Sequence, residues 1–314
     1  MNSQTDPTLW QLLSKVSRSF DFAIRALPDP LREQTCTAYL LCRIVDTVED
    51  AVSQKDRPVY FERFKNVLRS PEKESTIDFS GLQCSNENEA LLIRNSAAVF
   101  ESYFSFSEEI RNRFVEHILE MADGMAYFSA RKDSKKQLIE TEEELDKYCY
   151  FVAGTVGLLL TDLFGHHLGK DAHWIKLQRE PAIGFGLGLQ KVNILRDMNT
   201  DAENGVSYFP DGLSEAAARR LIRSSISNLA QAKSFIVNIP PEETGIRLFC
   251  VWPYLSALLV LERLATTEKL VLAGQVISVR KEAMFAMMAE VEEEISTNQP
   301  IENTIDRYLK RVLT

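Results

Sequence analysis

Apolar residues recur along this chain at the three- and four-residue spacing of helices, and the period-two alternation of strands is scarce. The pattern predicts long helical segments over Pro30–Ala51, Asn88–Phe106, Ser107–Ser129, Glu142–Leu168, Ile175–Met198, Ser214–Asn238, Ile246–Thr266 and Val276–Ser296. The breaks between them are polar. Ser53–Pro58 is a turn, Ser70–Glu87 holds Pro71 and Gly81 and is the longest loop candidate, and Asp201–Ser214 contains Asn204-Gly205, Pro210 and Asp211-Gly212. Ile239-Pro240-Pro241 closes one helix, and Thr244-Gly245 precedes the next. No repeat and no linker divides the chain. The expectation is one all-α domain over residues 1–314.

Composition narrows the function classes. The chain has 314 residues, 45% of them hydrophobic and 26% charged, the balance of a globular enzyme. Its formal charge of −9 argues against sequence-independent nucleic-acid binding, which needs a basic surface. Cys36, Cys42, Cys84, Cys149 and Cys250 are odd in number and show no two-residue gap, so reduced thiols in a cytoplasmic protein are expected. The start, MNSQTDPTLW, lacks a basic region followed by an apolar run and predicts no signal peptide. The apolar stretches Val156–Leu160 and Leu255–Leu261 are shorter than the roughly 20 residues of a membrane span, and the C-terminal IENTIDRYLKRVLT is charged.

Two helix faces carry candidate chemistry. In Arg43-Ile-Val-Asp46-Thr-Val-Glu49-Asp50, Asp46 and Asp50 lie one above the other and Glu49 sits beside them, all on a helix with apolar flanks. Such carboxylates are costly unless a cation neutralises them. In Gln190-Lys-Val-Asn193-Ile-Leu-Arg196-Asp197-Met-Asn-Thr-Asp201, Asn193, Asp197 and Asp201 recur every four residues as one polar stripe. Oxygen donors on two helices suit Mg²⁺, which keeps water and substrate phosphate in its octahedron. Arg43 and Arg196 offer bidentate contacts to phosphate oxygens. Tyr148, Tyr150 and Phe151 are suited to line an apolar, cation-tolerant pocket, and Ala153, Gly154 and Gly157 permit close approach to their helix. Gly184-Phe-Gly186-Leu-Gly188 follows no strand and makes no dinucleotide loop.

At these residues the chain resembles the squalene/phytoene synthase family of head-to-head prenyltransferases. Ser17-Arg18-Ser19-Phe20 resembles the family's N-terminal signature. Asp46-Thr-Val-Glu49-Asp50 resembles its first aspartate-rich motif, and Tyr148-Cys149 through Val152-Ala153-Gly154 its central helix. Gln190 through Asp197 resembles the second motif, followed by Tyr208-Phe209-Pro210. Leu145-Asp-Lys-Tyr148-Cys, Leu189-Gln190-Lys191, Phe249-Cys250 with Pro253, and Arg280-Lys281 are similar to the squalene-synthase branch.

The resemblance implies an isoprenoid-synthase fold around a central cavity, with two farnesyl diphosphates as substrate. It implies Mg²⁺ held by Asp46, Glu49, Asp50, Asn193, Asp197 and Asp201, with presqualene diphosphate and then NADPH-dependent squalene as products. By similarity Tyr148 handles the proton, and Arg43, Arg18 and Ser17 meet diphosphate together with Arg196. Phe20, Tyr39 and Gln190 line the substrate site, Phe249 shields the cation, and Arg280 and Lys281 serve NADPH. Condensation without reduction, to presqualene diphosphate, dehydrosqualene or phytoene, is the alternative. A terpene cyclase would more often carry Ser and Glu ligands where Asp201 stands. Thr200 and Val206 depart from the family's usual Glu and basic residue, and Ser278 stands where a lysine is common. The expected location is the cytoplasm, with peripheral membrane contact compatible with a water-insoluble product.

Overall fold

Helix-start chemistry marks several elements. Thr141 is followed three residues on by Glu144, and the Thr141 hydroxyl accepts from the Glu144 N–H at 3.1 Å. Ser17, Asn86 and Ser214 cap other helices in the same way, with extended backbone at each cap. The computed structural model describes residues 7–51, 56–70, 79, 81–82, 84, 86–132, 138–203, 205–272 and 278–313; the side chains of Pro7, Arg18, Ser19, Ala51 and Lys132 lie outside that description.

Among the described residues every regular element is helical. In order they are α1 (Pro7–Val16), α2 (Arg18–Arg25), α3 (Leu31–Ala51), α4 (Arg57–Arg69), α5 (Glu87–Arg94), α6 (Ser96–Ser105) and α7 (Glu108–Lys132). Then come α8 (Glu142–Cys149), a π-helical turn (Tyr150–Gly154), α9 (Thr155–His167), α10 (Ala172–Glu203), α11 (Glu215–Val237), α12 (Thr244–Ala265), α13 (Lys281–Glu294) and α14 (Asn298–Leu313). The all-α expectation holds. Ser70–Glu87 lies largely outside the described residues, as do Val276 and Ile277 of the segment predicted over Val276–Ser296.

The structure differs from the sequence pattern at several places, the first with a local cause. The segment predicted over Asn88–Phe106 breaks at Asn95, whose side-chain amide donates to the Leu91 carbonyl and competes with the helical ladder. The segment predicted over Glu142–Leu168 is interrupted by the π turn. The charged C-terminus is the amphipathic helix α14, which buries Ile301, Ile305, Tyr308, Leu309 and Val312. α1, α2 and α4 are short helices that long-range periodicity does not resolve.

The 32-residue helix α10 is the axis of one half, packed against α11, α9, the π turn, α12 and α8. α3 is the axis of the other, packed against α7, α6, α4 and α5, while α9 touches α3, α7 and α10 and joins the halves. The apolar runs of Glu142–His167 and Thr244–Ala265 pass for membrane spans by length and composition. The stretches named from sequence were too short to show this, but the apolar windows of the full runs are 61% and 67% buried against other helices.

Glycine makes the central contact possible. A methyl group at Gly157 of α9 would lie 2.3 Å from the Ala182 carbonyl oxygen of α10, and one at Gly186 of α10 would lie 2.3 Å from the Ala153 carbonyl oxygen. Backbone meets backbone at both points, so no side chain is free to move aside. Gly157→Ala and Gly186→Ala are each expected to destabilise the fold by about 1–3 kcal/mol, read from the urea midpoint at constant m-value.

Candidate active site

Helical periodicity brings one face of α3 onto a cavity of about 460 Å³. Ala38, Cys42, Asp46 and Asp50 recur every four residues, Tyr39, Arg43 and Glu49 lie beside them, and all line it. α10 supplies a second wall through Phe185, Leu189, Gln190, Asn193, Arg196, Asp197 and Asp201. The two polar motifs, about 150 residues apart in sequence, therefore share one chamber. The rest of the wall is largely apolar: Met121 and Met125 of α7, Val152 of the π turn, Val156, Leu159 and Leu160 of α9, and Phe249 and Pro253 of α12.

Charge is concentrated at one end. Glu49, Asp50 and Asp201 all act on the Tyr208 hydroxyl, so carboxylates from both helices converge on it, and burial with their charges raises its pKa. Tyr148, at the end of α8, stacks on Tyr208 with ring centroids 5.1 Å apart and donates its hydroxyl to the Tyr208 hydroxyl at 3.4 Å. Burial, then the Glu49 charge and Tyr208, push the Tyr148 pKa well above 10, so this phenol is protonated at neutral pH. Phe128 meets the Tyr148 ring edge-on.

Asp46 is 27% exposed and deep in the wall. Burial lifts its pKa to about 7, Asp50 adds to the rise, and Arg43 opposes it. This carboxylate is under-compensated by protein alone. Arg43 sits 3.5 Å from Asp46 but 2.5 Å from Glu89 of α5, which is outside the cavity wall. Arg196 is held bidentate by its neighbour Asp197, at 2.9 and 2.6 Å. Among the described residues no three His, Cys, Asp or Glu side chains converge into an all-protein metal cage. Donors divided between two helices, with an under-compensated carboxylate among them, fit Mg²⁺ ions that each take one or two carboxylates and complete their shell with water and phosphate oxygen.

The sequence candidates divide by position. Phe20, Tyr39, Arg43, Asp46, Glu49, Asp50, Tyr148, Gln190, Asn193, Arg196, Asp197, Asp201 and Phe249 all line the cavity. Ser17 does not; its hydroxyl caps α2, accepting from the Phe20 N–H at 3.3 Å. The Arg18 side chain lies outside the described residues. Arg280 and Lys281 are exposed at the start of α13 and line no part of the chamber. Val206 is half-buried against a small void with Met198, Ala202 and Phe209, so it packs beneath the polar end. Sequence reasoning missed Glu89, which no local pattern ties to Arg43. It also left Tyr208 out of the site, although the Tyr208-Phe209-Pro210 turn was the available signal.

A family model described as squalene/phytoene synthase matches residues 13–282. Squalene synthase of Schizosaccharomyces pombe is 36% identical over 208 residues, covering 64% of this chain and 43% of that protein. Squalene synthase of Bos taurus is 25% identical over 327 residues, covering 97% of this chain and 73% of that protein. The match thus spans under half of the yeast relative's length. Among solved structures, TcSQS in complex with the ligand BPH1237 superposes with a TM-score of 0.76 at 22% identity, covering 98% of this chain and 92% of that one, which shows a common fold.

The Arg43–Glu89 pair is testable without any assumption about turnover. Glu89→Ala leaves a part-buried guanidinium short of its nearest partner and is expected to cost about 1–2 kcal/mol in urea unfolding. That is below the range for a fully buried pair, because Arg43 is 29% exposed.

Proposed function

Because the chain belongs to the squalene/phytoene synthase family, we propose that its cavity joins two molecules of farnesyl diphosphate head to head through presqualene diphosphate and reduces that intermediate to squalene. One observation carries the reading: carboxylates of α3 and α10 face the polar end of a single cavity whose other walls are largely apolar.

The division of labour follows from the walls. Asp46, Glu49 and Asp50 on one side, and Asn193, Asp197 and Asp201 on the other, are the groups that would hold Mg²⁺. When bound, the metal neutralises diphosphate and makes it a better leaving group. Arg43 and Arg196 meet the diphosphate oxygens, exchanging Glu89 and Asp197 for a more highly charged partner. Breaking the C–O bond of the first substrate leaves an allylic cation, and the double bond of the second attacks it. Phe249, the methionines and the leucines keep water away while Tyr39 and Gln190 bound the polar end. Closure of the cyclopropane ring releases a proton. The neutral Tyr148 hydroxyl can take it only in concert with passing its own proton to Tyr208, to which it already donates. Tyr208 would in turn release its proton to the departed diphosphate or to one of the carboxylates Glu49, Asp50 and Asp201 that act on its hydroxyl.

NADPH supplies hydride for the second half when bound. Arg280 and Lys281 fit its phosphates, being exposed cations at a helix N-terminus, and they do not form a site for the nicotinamide ring. The cytoplasm, with peripheral contact to a membrane that takes up the water-insoluble product, is part of the same proposal.

Purified protein incubated with farnesyl diphosphate and Mg²⁺ is expected to give squalene only when NADPH is present, as read by mass analysis of the extract. Presqualene diphosphate or dehydrosqualene in both tubes would remove the reductive half. Turnover of geranylgeranyl diphosphate alone would remove the substrate assignment. Asp46→Ala and Asp197→Ala are each expected to lower condensation by about 10²–10³-fold or more while the circular dichroism spectrum is unchanged. Near wild-type rates in either variant would show that the metal assignment is wrong.

A further inference from the structure

Lys191 is 1% exposed, and the cavity does not use it. Its ammonium group has three donors and fills all three. It meets the Asp146 carboxylate of α8 at 2.5 Å, the Ser224 hydroxyl at 2.7 Å and the Asn228 side-chain oxygen at 2.7 Å, the last two on α11. One buried cation thus joins α8, α10 and α11. The Asp146 carboxylate is 51% exposed, so the pair itself adds little to stability, and the three directional bonds of the buried ammonium invite a different explanation.

That explanation lies in α8. The helix has only eight residues, too few to be stable alone, and it carries Tyr148 at its end immediately before the π turn. Residues two apart on a helix point about 200° apart. Glu142 and Asp146 therefore share one face, and Glu144 and Tyr148 share the opposite one. The contacts follow this division. Glu142 pairs with Arg220 of α11 and Asp146 with Lys191, while Glu144 pairs with Arg131 of α7 and Tyr148 packs on Phe128 of α7. Asp146 is the ion-paired residue of α8 nearest Tyr148 in the chain, and it holds the back of the helix whose front faces the chamber, while Lys147 lies over the Tyr127 and Phe151 rings. A rotation of α8 that swings the Tyr148 hydroxyl away from Tyr208 also carries Asp146 out of line with an ammonium that Ser224 and Asn228 hold in place.

We propose that Lys191 is a positioning residue: through Asp146 it fixes the rotation of α8 and so places the Tyr148 hydroxyl for the condensation step. The proposal rests on the prenyl-condensing reading above. A misplacement of about 1 Å in a reacting group costs on the order of 10²-fold in rate, so a single distant anchor is enough to matter.

The test uses the full chain with farnesyl diphosphate and Mg²⁺. Asp146→Ala keeps helix propensity and leaves Lys191 bonded to Ser224 and Asn228, but it also leaves a buried ammonium without its carboxylate. The circular dichroism spectrum and urea midpoint are therefore read beside kcat. Asp146→Asn, which keeps an oxygen acceptor without the charge, is the second variant, expected to fold and to lose less kcat. Asp146→Ala is expected to lower kcat by about 10–100-fold while KM stays within about threefold. Arg220→Ala, which cuts the exposed tether of the same helix, is expected to leave kcat within about twofold. In a Tyr148→Phe background Asp146→Ala is expected to cost no more than about twofold, because both changes act through one hydroxyl. Unchanged kcat in Asp146→Ala, an equal loss in Arg220→Ala, or a full independent loss in the Tyr148→Phe background would each overturn the assignment. Absence of any condensation product from the wild-type chain would overturn the functional reading and this proposal with it; a working wild type with an indifferent Asp146→Ala would sink the proposal alone.

Discussion

Carboxylates of like charge held at the end of an apolar chamber repel one another and would turn toward water if their helices were free to move. Everything else in this molecule is arranged around that constraint. α3 and α10 each carry their acids near the C-terminal end, where the helix dipole is itself unfavourable to negative charge. The arrangement persists because packing on all sides over-determines both helices. α10 is locked by backbone-to-backbone approach at Gly157 and Gly186, and α3 by burial among α4, α5, α6 and α7. The raised pKa of Asp46 comes first from its burial, with the Asp50 charge adding to it and Arg43 opposing it; under the proposed function a cation would relieve it.

Positive charge is present but kept close to acids. Arg43 leans on Glu89, Arg196 on Asp197, and Lys191 on Asp146. The two arginines line the chamber and can turn toward an arriving anion. The lysine is sealed away with all its donors used, which suits a residue that sets geometry. The same side-chain chemistry therefore does different work according to burial. A guanidinium retains favourable contacts when it changes partner, whereas a buried ammonium with three fixed acceptors has nowhere else to go.

The fold class and most of the chamber were legible in the chain. Asp46–Asp50 and Asn193–Asp201 stand out because a helical period places them on one face amid apolar neighbours, and both faces line the cavity. Tyr148 was found through its surrounding motif. α1, α2 and α4 were not legible, because short helices draw their stability from tertiary burial more than from a repeating pattern. Ser17, expected at diphosphate by resemblance, caps α2 with its hydroxyl, which also bonds Tyr39 of the chamber wall. Arg280 and Lys281, expected at NADPH through the resemblance to squalene synthases, stand outside the chamber.

The amino-acid sequence by itself determined which faces of which helices are polar, since periodicity within a helix is a local property of covalent spacing. It also determined where backbones can touch, because only glycine leaves room at Gly157 and Gly186. The tertiary structure alone decided what those faces meet. Glu89 lies 46 positions from Arg43, Tyr208 lies 60 from Tyr148, and Lys191 lies 45 from Asp146. No rule of spacing connects such pairs. They come together because the helices that carry them must bury their apolar faces against one another, and that packing is settled by the whole core at once.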